Sequence, residues 1–131
     1  MSPEALKLIE TEKNLLGRTP EVRERVSKSI ERGSIGQKLK RANNFKCQLC
    51  DALGLNPIGF LKANMEPYVE AHHATPVSEL EIGSLSASNI MILCANHHRE
   101  MHYGNVELDR VEGEFLVKLD GHDLRIKRFA V

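Results

Sequence analysis

The first 45 residues carry apolar side chains at the spacing of amphipathic helices. They form two stripes, which consist of Leu6, Ile9 and Leu16 and of Val22, Val26 and Ile30. Ser2 and Thr19 each precede a proline and a glutamate, which is typical of a helix N-terminus because it supplies a side-chain cap, a fixed φ angle and a favourable charge. Ser34 with Gln37 matches a capping box. The pattern therefore predicts three helices, the third of them capped by Ser34.

Beyond these helices the apolar residues occur in short runs separated by turn residues. Gly104 is placed to end a polar helix, and Glu112-Gly113 and Asp120-Gly121 are placed to form turns. The pattern predicts strands at 68–71 and 90–93, a helix at 95–103 and a three-stranded meander from 106 to 129.

These elements predict an α+β fold, and 131 residues suffice for one compact domain. We divide it into a helical basic arm at 1–45, a core at 46–105 and a C-terminal β-hairpin or meander at 106–131 that packs on the core. The apolar residues between 53 and 60 are expected to fill the core; they are Leu53, Leu55, Ile58 and Phe60.

Composition is that of an ordinary globular protein, with 41% hydrophobic and 27% charged residues. No apolar run approaches the ~20 residues of a membrane span, so we expect a cytoplasmic protein with no membrane partner. The 18 basic and 18 acidic side chains balance, but nine of the basic and only three of the acidic residues lie between Arg18 and Lys46. This basic segment is typical of a surface that binds a nucleic-acid backbone, although a solvated helix face explains it equally well.

Two short motifs have the spacing of metal knuckles. Cys47 and Cys50 form the first, and Cys94 and His97 form the second. Zinc prefers four nitrogen and sulfur ligands, and three cysteines with one histidine are a common structural set. A redox Cys-x-x-Cys motif is the alternative, but it requires a βαβ context that this sequence lacks.

The remaining histidines of the region form a second set. His98 and His102 are four positions apart on the predicted helix, so both imidazoles project from one face. His72 and His73 are adjacent at a strand, where neighbouring side chains point to opposite sides. One of that pair can therefore bind a metal ion while the other faces a substrate.

In this order the residues resemble the HNH nuclease signature. The matching segments are 70–77 (EAHHATPV), 88–94 (SNIMILC) and 97–102 (HHREMH). The resemblance implies a ββα-metal (His-Me finger) core that is stitched by a zinc knuckle, similar to the HNH domains of modified-DNA restriction enzymes. It also implies metal-dependent hydrolysis of DNA phosphodiester bonds.

The resemblance further implies a role for each matching residue. His73 corresponds to the general base that activates water, and Asn89 to the residue that holds the loop beside it. Glu70 is expected to support the site. The resemblance assigns the catalytic divalent ion (Mg²⁺, Mn²⁺, Ni²⁺ or Zn²⁺) to His72, His98 and His102, and the structural Zn²⁺ to Cys47, Cys50, Cys94 and His97. His97 departs from the fourth cysteine of many members, but imidazole is an acceptable substitute.

DNA is the expected partner. The side chains predicted to contact its backbone are Arg23, Arg25, Lys28 and Arg99. A catalytically inactive zinc-dependent nucleic-acid-binding module is the alternative, and a hydrolase of another substrate is a weaker one. Cleavage of both strands at one position requires two active sites, so the sequence leaves a homodimer and a nicking monomer open.

Overall fold

The computed structural model describes residues 2–76 and 83–130, so Val77 of the motif lies outside the described residues. The fold is mixed α+β, as expected. Its elements are α1 (Pro3–Asn14), α2 (Pro20–Arg32), α3 (Ser34–Ala42), α4 (Gln48–Ala52), β1 (Glu70–His73), β2 (Ile90–Leu93), α5 (Ala95–Tyr103), β3 (Glu107–Val111), β4 (Glu114–Leu119) and β5 (His122–Lys127). No helix in the described ranges is both long and apolar enough to cross a membrane.

Two of the predicted helix caps are confirmed and one is wrong. The hydroxyls of Ser2 and Thr19 accept hydrogen bonds from the backbone N–H groups three residues later. Helix α3 is capped by Gly33 without a side-chain hydrogen bond, so the capping box of Ser34 and Gln37 does not form. The physical reason is that Gly33 is the single residue between α2 and α3, which leaves Ser34 inside the helix.

The apolar stripe predicted for α1 is also wrong. Its members Leu6, Ile9 and Leu16 are exposed, whereas the buried residues of this region are Ala5, Leu8 and Leu15. Both sets have helical spacing, so periodicity alone does not choose between them. Leu15 packs with Leu85, and the confirmed second stripe of α2 packs on that pair. This contact fixes which face of α1 turns inward.

Strands β1 and β2 form an antiparallel pair that joins the two main parts of the core. Residues 70–73 pair with residues 90–93, so the first strand lies two residues beyond its predicted position and includes both histidines. In β2, Ile90 and Ile92 face α2 and α3, whereas Met91 and Leu93 face the meander. Because both faces of β2 are buried, its sequence is an unbroken apolar run.

The C-terminal meander is confirmed, with β3, β4 and β5 in antiparallel order and with the two predicted turns between them. Helix α4 was not predicted, because five residues give no helical periodicity. It is held by Gln48, whose side chain accepts a hydrogen bond from the Ile92 N–H (2.8 Å) and donates one to the Lys127 carbonyl (3.2 Å).

The expectation that residues 53–60 fill the core is wrong for two of its four members. Leu53 is half-buried against the meander core, but 56% of Leu55 and 65% of Phe60 are exposed. The core beside the knuckle is already filled by Leu49 together with the inward-facing residues of β2 and the meander. The chain from Gly59 to Tyr68 instead forms a projecting hairpin, in which Leu61 pairs with Pro67.

Candidate metal centres and active-site cleft

The four knuckle residues meet at one point. The sulfurs of Cys50 and Cys94 are 3.9 Å apart, and the Nδ1 atom of His97 lies 3.5, 3.3 and 3.4 Å from the sulfurs of Cys47, Cys50 and Cys94. A zinc tetrahedron with bonds of about 2.0–2.3 Å separates its ligand atoms by roughly 3.5–3.8 Å. The donor set and its spacing therefore fit a bound metal ion.

Each knuckle is built on the start of a helix. Cys47 caps α4 and Cys94 caps α5, and each sulfur accepts the backbone N–H three residues later at 3.4 Å. Burial raises the pKa of the Cys47 and Cys50 thiols, and for Cys50 the neighbouring Cys47 raises it further. A cation at this point would hold these sulfurs as thiolates, the form that binds metal.

Three histidines form a second cluster where β1 faces α5. The ring centroids of His72, His98 and His102 lie 4.8–4.9 Å from one another, and one nitrogen of each lies within 4.8 Å of the others. The Nε2 atoms of His98 and His102 are only 3.2 Å apart. Burial and the two neighbouring imidazoles lower the pKa of His72 to about 3. His72 therefore presents a neutral imidazole nitrogen, the form of histidine that binds a metal ion.

Glu70 orients this cluster from the start of β1. Its Oε1 lies 2.8 Å from Nδ1 of His98, and its Oε2 accepts a 2.7 Å hydrogen bond from the Tyr68 hydroxyl. Burial raises the pKa of Glu70, but these two hydrogen bonds and the nearby positive charges outweigh it, so the net pKa is below its usual value. Because an ionised carboxylate only accepts, Nδ1 of His98 donates to Glu70, and Nε2 is the ring nitrogen that faces the cluster.

His73 points to the other side of β1, towards α2. Its Nδ1 lies 3.0 Å from Oε2 of Glu31 and 2.7 Å from Oγ of Ser27, and its backbone N–H donates to the same Glu31 oxygen at 2.7 Å. Its Nε2 is buried and has no hydrogen-bond partner within residues 2–76 and 83–130. Ser27 and Glu31 share one ring nitrogen, so these residues do not form a serine–histidine–acid triad, which uses both nitrogens.

Sequence reasoning missed Glu31 and Ser27. They lie 42 and 46 positions from His73 and carry no local motif, so only the packing of α2 against β1 brings them there. Burial raises the pKa of Glu31, but the side-chain and backbone hydrogen bonds with His73 and the nearby imidazoles outweigh it, so the net pKa is below its usual value.

Asn89 fixes the chain where it leaves β1. Its fully buried amide accepts a 3.0 Å hydrogen bond from the Thr75 N–H and donates to the carbonyls of Thr75 (3.0 Å) and Ser84 (2.7 Å). The Asn89 backbone carbonyl also accepts the Ala74 N–H at 2.7 Å. The loop that follows His73 is thus held at two successive residues.

The histidine cluster, His73 and Glu31 line one cleft of about 550 Å³. Three of its lining residues are basic, namely Lys28, Arg32 and Lys40, and three are acidic, namely Glu24, Glu31 and Glu70. Lys28 pairs with Glu24 at 3.6 Å. The other predicted backbone contacts lie elsewhere: Nε of Arg23 donates to the Leu15 carbonyl at 3.3 Å, and Arg25 and Arg99 are exposed. The cleft therefore combines a candidate metal-ligand cluster, a partnered histidine and three basic side chains, Lys28, Arg32 and Lys40, which we name the basic rim.

No family model matches the sequence, and no solved structure matches it. Among curated proteins, the type IV methyl-directed restriction enzyme EcoKMcrA of Escherichia coli (strain K12) is 34% identical over 64 residues. The match covers 49% of this chain and only 22% of that enzyme. The chain is therefore similar in part to a restriction enzyme and spans less than a quarter of its length.

Proposed function

We propose that this chain is a metal-dependent HNH endonuclease of the ββα-metal type that hydrolyses DNA phosphodiester bonds. The observation that carries the proposal is the shared cleft, in which three metal-ligating imidazoles accompany a separate, partnered histidine. The succession of β1, β2 and α5 and the partial similarity to a restriction enzyme support it.

His72, His98 and His102 would hold the catalytic divalent ion. The Nε2 atoms of His98 and His102 are 3.2 Å apart in a cluster that Glu70 orients, which is close enough for both to bind one cation. Three protein ligands leave positions for phosphate and water, and imidazole suits Zn²⁺ or Ni²⁺ better than it suits Mg²⁺. Such an ion neutralises the negative charge that develops on the phosphoryl oxygens and the leaving oxygen.

His73 would act as the general base. The Glu31 carboxylate can only accept a hydrogen bond, so it holds the proton on Nδ1 and leaves the lone pair on Nε2. A buried ring nitrogen without a partner in the described chain is uncommon and marks a position for a water or a ligand atom. Nε2 would take a proton from the attacking water, while Glu31 stabilises the resulting imidazolium.

The basic rim would bind the DNA backbone. Lys28 lines the cleft and is the predicted backbone contact nearest to the site, with Arg32 and Lys40 beside it. Arg25 and Arg99 remain proposed contacts at the exposed surface. Contacts of this kind give affinity without sequence information.

Cleavage of supercoiled plasmid tests the function. The full chain with Mg²⁺, Mn²⁺, Ni²⁺ or Zn²⁺ is expected to nick the plasmid, and a His98→Ala/His102→Ala double variant purified in parallel is expected not to. Plasmid retention in gel shifts without cleavage by any ion would favour the binding module instead. Equal cleavage by wild type and variant would reveal a contaminant or a wrongly assigned site, and neither retention nor cleavage would refute DNA as the substrate.

We expect Glu70→Ala to weaken binding of the catalytic ion by about 10–100-fold, because the His98 ring loses the partner that orients it. Calorimetric titration with Mn²⁺ or Ni²⁺ measures this effect. Glu70→Gln keeps one acceptor and should recover part of the loss. The control is Glu66→Gln, which changes a carboxylate on the neighbouring hairpin. An unchanged affinity in Glu70→Ala would mean that Glu70 does not support the ion site.

A further inference from the structure

The projecting hairpin places its side chains in two distinct sets. Leu61 pairs with Pro67, the Tyr68 N–H donates to the Phe60 carbonyl at 2.8 Å, and the Lys62 N–H donates to the Glu66 carbonyl at 2.8 Å. In an antiparallel pair, residues directly opposite each other share a face and the faces alternate along the strand. Phe60, Tyr68, Lys62 and Glu66 therefore share one face, and Leu61 lies on the other.

Phe60 and Tyr68 form a stacked pair whose outer ring is open. Their centroids are 4.8 Å apart with an interplanar angle of 12°, yet 65% of Phe60 is exposed. Tyr68 backs Phe60 on one side, and its hydroxyl is fixed by Glu70, which in turn contacts His98. The exposed Phe60 ring therefore stacks on Tyr68, and Tyr68 is connected to the histidine cluster by two hydrogen bonds through Glu70.

Positive charge accompanies this ring. Tyr68, Arg32 and Lys40 line the same cleft, and Lys62 lies on the Phe60 face of the hairpin, where it pairs with Glu66 at 3.4 Å. Burial and the nearby charge of Lys62 lower the pKa of Lys40, and the carboxylates of Glu70 and Glu66 oppose this shift. A flat exposed aromatic face beside basic groups is complementary to a nucleotide, which has a flat base and an anionic phosphate.

We propose that the Phe60–Tyr68 pair is a stacking platform for an unpaired DNA base next to the cleaved bond. The proposal rests on the nuclease function and names its substrate class: strands with a single-stranded, bulged or mismatched nucleotide. A base inside a duplex is already covered on both faces by its neighbours, whereas an unpaired base gains a partner on Phe60. This contact tolerates any base, because every base has an aromatic face.

Fluorescence anisotropy with the full chain and no added divalent ion tests the platform. The probes are three labelled DNA oligonucleotides of related sequence: a perfect duplex, the same duplex with one unpaired base, and the single strand. We expect Phe60→Ala to weaken binding of the last two by about 5–150-fold, the equivalent of ~1–3 kcal/mol for one stacked base, and to leave the perfect duplex unchanged. Phe60→Trp should retain the preference, and Leu61→Ala on the opposite face should behave as wild type.

Phe60→Leu keeps apolar volume without a ring, so it decides the result if the alanine variant fails to fold. The platform is refuted if the ring-free variants bind the unpaired probes as wild type does, or if they lose equal affinity for all three probes. Plasmid cleavage by wild type with unchanged probe binding by Phe60→Leu would refute the platform alone. Selective loss of binding in a chain that cleaves nothing would refute the nuclease alone.

Discussion

His73→Ala is expected to slow plasmid nicking by about 10²–10⁴-fold at a saturating ion concentration, the contribution typical of a positioned general base. The single-turnover rate of nicking should fall while the affinity for the ion stays the same, because His73 is not among the residues proposed to hold the ion. His122→Ala is the matched control, since His122 is an exposed histidine at the start of β5. Nicking that still requires metal but is unaffected by His73→Ala would show that another group is the base.

Glu31 is expected to act only through His73, and a double-mutant cycle isolates this coupling. Glu31→Ala should slow nicking in the wild-type background, since Nδ1 loses the acceptor that fixes its proton. The same change in the His73→Ala background should have no further effect on the rate. Equal losses in both backgrounds would instead show that Glu31 contributes only to the packing of α2 on β1.

The parts of the site that sequence predicts are those set by local geometry. Spacing alone brings Cys47 near Cys50 and His98 near His102, because each pair lies within one turn of a helix or its cap. The alternation of a strand likewise separates His72 from His73. The caps at Ser2 and Thr19 follow the same principle, since each bond joins residues three apart.

The parts that sequence does not predict depend on distant packing. Glu31 reaches His73 only because apolar residues of α2 and α3 cover β1 and β2, and its own neighbours in sequence give no sign of this contact. The inward face of α1 is decided by Leu85, far along the chain. Phe60 has the apolar side chain of a typical core residue, but the core beside it is already filled by other residues. Its exposure is therefore a property of the fold and not of its local pattern.

The two candidate metal sites lie at different depths, so we expect them to have different roles. Cys47 is fully buried among Leu49, β2 and the meander, so an ion there would tie the core together. His102 is exposed at the cleft, so an ion there would be open to substrate. Variants of the histidine cluster should therefore leave zinc at the knuckles, and variants of the knuckles should affect both centres, because α5 carries ligands of each.

Cys50→Ala is expected to abolish zinc binding at the knuckles and to lower the melting temperature by at least about 10 °C. Structural zinc contributes an apparent binding free energy of about 10–16 kcal/mol in zinc-finger peptides, whereas a whole domain is stable by about 5–15 kcal/mol. Loss of only about 3 kcal/mol of the zinc-binding free energy would lower the melting temperature of a chain of this length by about 10 °C. Metal analysis of the purified chain and circular dichroism measure the two effects.

The control for this variant is Asp51→Asn, an exposed change on the same short helix that leaves all four ligands in place. Cys50→His should recover part of the zinc content, since imidazole is an alternative ligand, and the melting temperature should rise with it. A melting temperature that rises together with the zinc content separates loss of metal from loss of side-chain packing. Histidine differs from cysteine in size and shape, so it can restore the ligand but not the original packing. A Cys50→Ala variant that melts like wild type, with no zinc in either protein, would show that the knuckles are held by packing alone.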